Sequence, residues 1–244
     1  MNTVNLEKWI LENQTVVFYL LLMLSFLLNR LPYIGAFFRI VNTMLHKSGH
    51  AIGAFFTSGE VVRIDLNRDT SGIAQTKSPG RFGAFFTSFT GYPFAAAISS
   101  LLLVMTIQGE SRLVAFILLS LALINLIFFV RNAFGMIWLV LFSALLFASV
   151  WYLDDIFLRL LMTFICLITF SESLASTLII SYIGLLKPKR SGDMANMQKS
   201  TGVPAAIWTL INLFIVSWLL FYTVMNYFPK LNSLPLLKNI SSQL

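Results

Sequence analysis

Apolar residues fall along this chain in long runs broken by short polar stretches. The runs near 15–31, 34–57, 83–107, 113–130, 134–153, 156–184 and 204–227 approach or reach the length of a bilayer crossing. A crossing helix needs roughly 17–25 apolar residues, so the pattern predicts six or seven transmembrane helices. The count is six or seven because "NRLPY" barely separates the first run from the second, and "RNAFG" (131–135) barely separates the fourth from the fifth. One stretch follows another rhythm. In "GEVVRIDLNRDTSGIAQTK" (59–77) the β-favouring Val61 and Ile64 and the apolar Leu66 precede the turn-rich "NRDTSG", and "GIAQT" can return as a partner strand. This predicts a β-hairpin after the second run.

Composition sets the class. Of 244 residues, 57% are hydrophobic and 11% charged, with a mean hydropathy of +0.81, which a water-soluble domain cannot absorb but lipid can. The expectation is an all-α polytopic membrane protein whose environment is the lipid bilayer. It forms one transmembrane domain over 1–244, with its core at about 34–227, the hairpin at 59–77, a basic loop at 187–200 and a tail at 229–244. Glu7, Lys8 and Glu12 precede the first run and no small-x-small cleavage pattern follows it, so a retained first helix is expected rather than a signal peptide.

The formal charge of +7 does not imply a nucleic-acid partner, because the basic residues are dispersed over short connections. They report topology instead. With the loop "KPKRSGDMANMQK" (187–199) cytoplasmic, the same side collects Lys8, Arg63, Arg68, Lys77, Arg81 and Arg131. Arg30, Arg112, Arg159, Lys230 and Lys238 remain on the other. The positive-inside rule therefore puts the hairpin and that loop in the cytoplasm. A single cysteine, Cys166, excludes an intrachain disulfide and a cysteine-rich metal site. The hexapeptide "GAFFTS" at 53–58 and 83–88 has unmatched flanks and is read as coincidence.

Candidate chemistry concentrates in "HKSGHAIGAFFTSG" (46–59). His46 and His50 are the only histidines, and residues four apart share a helix face, so both imidazoles can turn to one cation. The alternative is a pair of interfacial histidines bonded to nearby backbone. Ionisable side chains inside a membrane run are functional candidates by default. Arg39, two helical turns before Lys47, shares its general face and is expected to snorkel toward the interface.

The stretch "LHKSGHAIGAFFTSGEVVRIDLNRDTSG" (45–72) resembles the His-Glu-x-x-His helix of site-2 protease type intramembrane zinc metallopeptidases, in particular a compact bacterial and plant subgroup. "TGYPFAAAIS" (90–99), "RNAFG" (131–135) and "SGDMANMQKSTGVPAAIW" (191–208) are similar to its later landmarks. The resemblance covers roughly 45–210. It implies Zn²⁺ held by His46 and His50, a membrane protein or peptide as substrate, and residence in a bacterial plasma membrane. It also implies a glutamate general base directly after the first histidine, and there this chain has Lys47. A charged lysine has no lone pair to accept a proton, and it opposes a divalent cation. The resemblance further implies an aspartate ligand from a later span. None lies inside one here, since Asp193 sits beside the basic loop, so Glu172 in "TFSESLAST" (169–177) is the candidate third ligand or, alternatively, a counter-ion for Lys47 or Arg39.

Three readings stay open at this point. The leading one is a pseudoprotease that binds a membrane partner or a single-pass substrate helix without cutting it. The second is an active zinc endopeptidase in which Lys47 is tolerated or replaces a glutamate. The third is a transporter or channel using the same polar residues as a pathway.

Overall fold

The structure, a computed structural model, describes residues 3–29 and 31–230. Among them the elements follow in the order α1 (Thr3–Glu12), α2 (Gln14–Asn29), α3 (Ile34–Phe56), β1 (Glu60–Leu66), β2 (Gly72–Lys77), α4 (Gly80–Ile107), α5 (Ser111–Ile124), α6 (Ala133–Tyr152), α7 (Asp155–Leu186), α8 (Asp193–Thr201) and α9 (Ala205–Tyr227). A π-helical segment, Asn125–Phe129, prolongs α5, and a 3-10 turn, Pro188–Arg190, precedes α8. This is the all-α polytopic architecture with a short hairpin that the apolar runs predict. The tail beyond residue 230, with Lys238, and Arg30 lie outside the described residues.

Among the described residues, five helices are long and apolar enough to cross a membrane: α4, α5 with its π-helical extension, α6, α7 and α9. The α1–α2 pair, bent by 92° at its junction, gives a sixth if counted as one span. Helix α3 is 23 residues long yet falls outside this set, because Arg39, Asn42, His46, Lys47 and His50 lower its hydropathy. Large apolar side chains such as Phe214, Trp218 and Ile137 are more than half exposed, as befits a surface solvated by lipid.

Helix α7 runs through the bundle against α2, α3, α4, α5 and α9. Val41, Met44 and Leu45 of α3, Leu103 of α4, and Met162 and Leu167 of α7 are fully buried in the core. Helix α2 runs beside α7 in the same direction: Thr15 shares a cavity with Ile156 and Arg159, and Asn29 reaches Glu172 at 3.2 Å. It therefore ends part-way along α7, and α3 carries the chain on to the hairpin. One expectation is corrected here. Ile10 and Leu11 lie beside Gly109, Asp155 and Tyr227, at the end of the bundle away from the hairpin, so Lys8 belongs with Arg112 and Arg159. Placing Lys8 on the hairpin side assumed that 15–31 and 34–57 are two full antiparallel crossings.

The hairpin is antiparallel, with Ile64 opposite Ala74 and a bulge between Val61 and Arg63. It is tied to α3 by Thr43 Oγ1, which donates to the Thr70 carbonyl at 2.6 Å. The "RNAFG" break between α5 and α6 docks on its far edge. The Arg131 amide donates to the Ile64 carbonyl at 3.1 Å, and the Asn132 side chain accepts from the Leu66 amide at 3.0 Å and donates to its carbonyl at 2.6 Å. Asn132 thus completes β1 as a further strand would, and satisfies backbone groups that burial would otherwise leave unpaired.

Candidate metal centre

Helices α3 and α4 form the most extensively packed pair in the bundle, and small residues let them approach. A Cβ built on Gly49 would stand 2.9 Å from Cβ of Phe94. One built on Gly91 would stand 2.6 Å from Cε1 of both His46 and His50, so only glycine leaves room for both imidazoles. Thr90 Oγ1 donates to the Gly49 carbonyl at 2.8 Å and fixes the register of the two helices.

The third component comes from α8. After α7 ends, Ser191 Oγ donates to the Pro188 carbonyl at 2.6 Å, and Gly192 adopts φ +54° and ψ −108°, a conformation that L side chains resist. The chain thereby turns back, and Met194 and Met197 bury themselves against Phe85, Phe89 and Tyr92 of α4. That docking brings Asp193, the first residue of α8, to the histidines. Asp193 Oδ2 lies 3.2 Å from His46 Nε2 and 3.3 Å from His50 Nε2, and the two nitrogens are 3.1 Å apart.

These separations fit a metal ion. Donors held at about 2.0–2.1 Å around a tetrahedral zinc stand about 3.3–3.4 Å from one another. Nδ1 of His50 meets the Thr87 carbonyl at 2.7 Å, and a carbonyl can only accept, so the proton is on Nδ1 and the Nε2 lone pair faces the other donors. The His46 ring lies against Tyr92, with centroids 4.2 Å apart, and its Nδ1 is buried without a hydrogen-bond partner. Burial pushes the Asp193 carboxyl up, but the charges and hydrogen bonds of His50 and His46 outweigh this and hold it well below the usual carboxylate range. With the carboxylate ionised and the Nε2 lone pairs of both imidazoles free, the group would have the protonation state that metal binding needs. Three protein donors leave a fourth position for water or substrate, as in catalytic rather than structural zinc sites.

Glu172 stays on α7, where Asn29 Nδ2 donates to its carboxylate at 3.2 Å, and it is not in the His46–His50–Asp193 group. Lys47 is half-buried. Its stem runs beside β2, with Cε 3.2 Å from a Cβ built on Gly72. Arg39 is half-buried and its Nε is covered without a hydrogen-bond partner. Cys166 is buried against Thr106, 3.6 Å from its Oγ1.

A family model described as peptidase M50B-like matches residues 16–224. The chain belongs to the peptidase M50B-like family. Members of this site-2 protease family typically depend on zinc, in keeping with the close group of two histidines and one aspartate. No curated protein and no solved structure matches the chain. At its centre this M50B-like chain carries a close group of two histidines and one aspartate, with Lys47 next to the first histidine. Asp193 is the residue that sequence reasoning missed. The available signal was "SGDMANM", a turn-forming glycine before an aspartate and then two methionines on one helical face.

Proposed function

We propose that this protein is a site-2-protease-like membrane protein that keeps its metal-holding residues and binds a membrane partner helix without cleaving it. The reading rests on one observation: the three donors stand complete, while the side chain in the general-base position is Lys47. A metal ion held by His46, His50 and Asp193 would supply Lewis acidity and lower the pKa of a bound water. Peptide hydrolysis also needs a group that takes the proton of that water and delivers it to the leaving amine. A glutamate does both, whereas a lysine ammonium carries three N–H donors and no acceptor. Its positive charge, beside a cation in a site of low dielectric, also weakens binding of that cation.

The partner is a single-pass membrane protein, met as a helix from the lipid or as an extended segment. The β1 edge is already taken from Ile64 to Leu66 by residues 130–132, so an added strand would pair along β2. An active zinc endopeptidase is the second reading, and the intact donor geometry favours it. One experiment separates them: purified wild-type, Lys47→Glu and His46→Ala/His50→Ala proteins are assayed for zinc by mass spectrometry, and each is co-expressed with single-pass membrane reporters that are blotted for fragments. The binding reading expects about one zinc per wild-type chain, none in the double variant, and cleavage only with Lys47→Glu. Fragments made by the wild type would establish the enzyme. A wild type without zinc would sink that second reading and the metal-holding part of the first.

A further inference from the structure

At the end of the bundle away from the metal centre, α1, α2, α4, α7 and α9 line an open cavity of about 530 Å³. That is the size of a small-molecule site. Its lining is largely apolar, including Ile10, Val17, Leu21 and Leu160, and its two charged members are Arg159 and Asp155. Arg159 Nη2 donates to the Ile107 carbonyl at 3.2 Å, and among the described residues no carboxylate pairs with the guanidinium. Asp155, one helical turn earlier, is engaged instead by Arg112 at 2.8 Å. An arginine has five N–H donors in a planar fork, so most of its capacity is left for a ligand.

Helix α1 fixes the depth of this cavity. It leaves α2 at 92° and carries Glu7, Lys8 and Glu12 together with Leu6, Trp9 and Ile10. An amphipathic helix with a tryptophan lies in the interface plane, where headgroups meet acyl chains. Ile10 and Leu11 line the cavity from this helix, so with α1 at the interface Arg159 would stand just beneath the headgroup level. A cation at that depth, opening on an apolar chamber, complements an anion carried on an acyl chain.

We propose that this cavity binds an anionic amphiphile, with its carboxylate or phosphate on Arg159 and its chain along α2 and α7. An anionic phospholipid of the bilayer and a free fatty acid share this chemistry. The site is independent of the metal centre and of its activity.

The test is native mass spectrometry of the full-length protein in neutral detergent, titrated with phosphatidylglycerol, with phosphatidylcholine of the same chains, and with oleate. A single saturable adduct is expected with phosphatidylglycerol or oleate. It should weaken about fivefold or more in Arg159→Gln, persist in Arg159→Lys, and be unchanged in Lys77→Gln at the far end. Phosphatidylglycerol binding without oleate assigns a bilayer lipid, and the reverse assigns a fatty acid. Equal binding of the two phospholipids, or adducts indifferent to Arg159→Gln, overturns the proposal. Should Arg159→Gln fail to fold, Val17→Trp fills the chamber and leaves the cation; loss of the adduct is expected, and its persistence overturns the proposal.

Discussion

Replacing Gly91 with alanine tests whether the donor set is built by helix packing. The new methyl would lie 2.6 Å from Cε1 of both His46 and His50, and 2.9 Å from Nδ1 of His46. Carbon atoms pack at about 3.5–4.0 Å, so each ring must retreat by roughly 1 Å. The helices cannot easily part instead, because Gly49 already packs on Phe94 and Thr90 Oγ1 bonds to the Gly49 carbonyl at 2.8 Å. Imidazoles moved by that much leave the 3.1–3.3 Å arrangement with Asp193. Overpacking of this kind costs about 1–3 kcal/mol, and if it falls on the metal-competent geometry, zinc affinity drops about 5- to 150-fold. Competition for zinc against a fluorescent chelator in detergent measures it. Gly83→Ala on the same helix is the control, since its methyl meets nothing closer than 3.3 Å and affinity should hold. Zinc affinity in Gly91→Ala within twofold of wild type would refute the argument that this glycine makes room for the site.

Other substitutions separate the parts of the fold. Asp193→Asn should lose stoichiometric zinc by elemental analysis, while Glu172→Gln, on a residue that bonds Asn29, should keep it. Gly192→Ala forces a side chain into φ +54° at a cost of about 1–2 kcal/mol. It should weaken zinc in the same competition assay without changing helix content by circular dichroism. Asn132→Ala removes the 3.0 and 2.6 Å bonds to Leu66 and leaves an amide and a carbonyl unpaired, at about 1–3 kcal/mol each. Hydrogen exchange over 60–66 should accelerate there, with the α3–α4 contact still protected.

The parts legible in the sequence were those that repeat a simple physical pattern over many residues. Lipid demands long apolar runs, so α4 to α7 and α9 stand out, and the alternation around Val61, Ile64 and Leu66 is enough to mark the hairpin. The break at 131–135 reads only as a separator, because the docking of Asn132 on Leu66 is a contact between distant segments and leaves no periodic trace. The N-terminal side was misjudged for a related reason. Apolar length suggests two crossings before the hairpin, whereas α2 stops beside Glu172 and α3 continues in its place.

The site divides along the same line. His46 and His50 announce themselves by spacing, since one helix carries both. The rule that a carboxylate inside a span has a task drew attention to Glu172, which accepts a hydrogen bond from Asn29 and stands outside the close group of two histidines and one aspartate. Asp193 sits among Lys187, Lys189, Arg190 and Lys199, where basic residues read as a water-facing loop. Only the burial of Met194 and Met197 turns that segment into a helix folded back on α4. The same geometry bears on Lys47. Two imidazole nitrogens 3.1 Å apart, one buried carboxylate oxygen and a glycine that leaves space for both rings are an expensive arrangement to keep for packing alone. Apolar side chains would fill that volume without burying polar atoms. A chain that carries this arrangement beside a lysine has its cost in the donors and its departure in the base, which is the combination the proposed role, holding an ion and a partner without completing hydrolysis, would require.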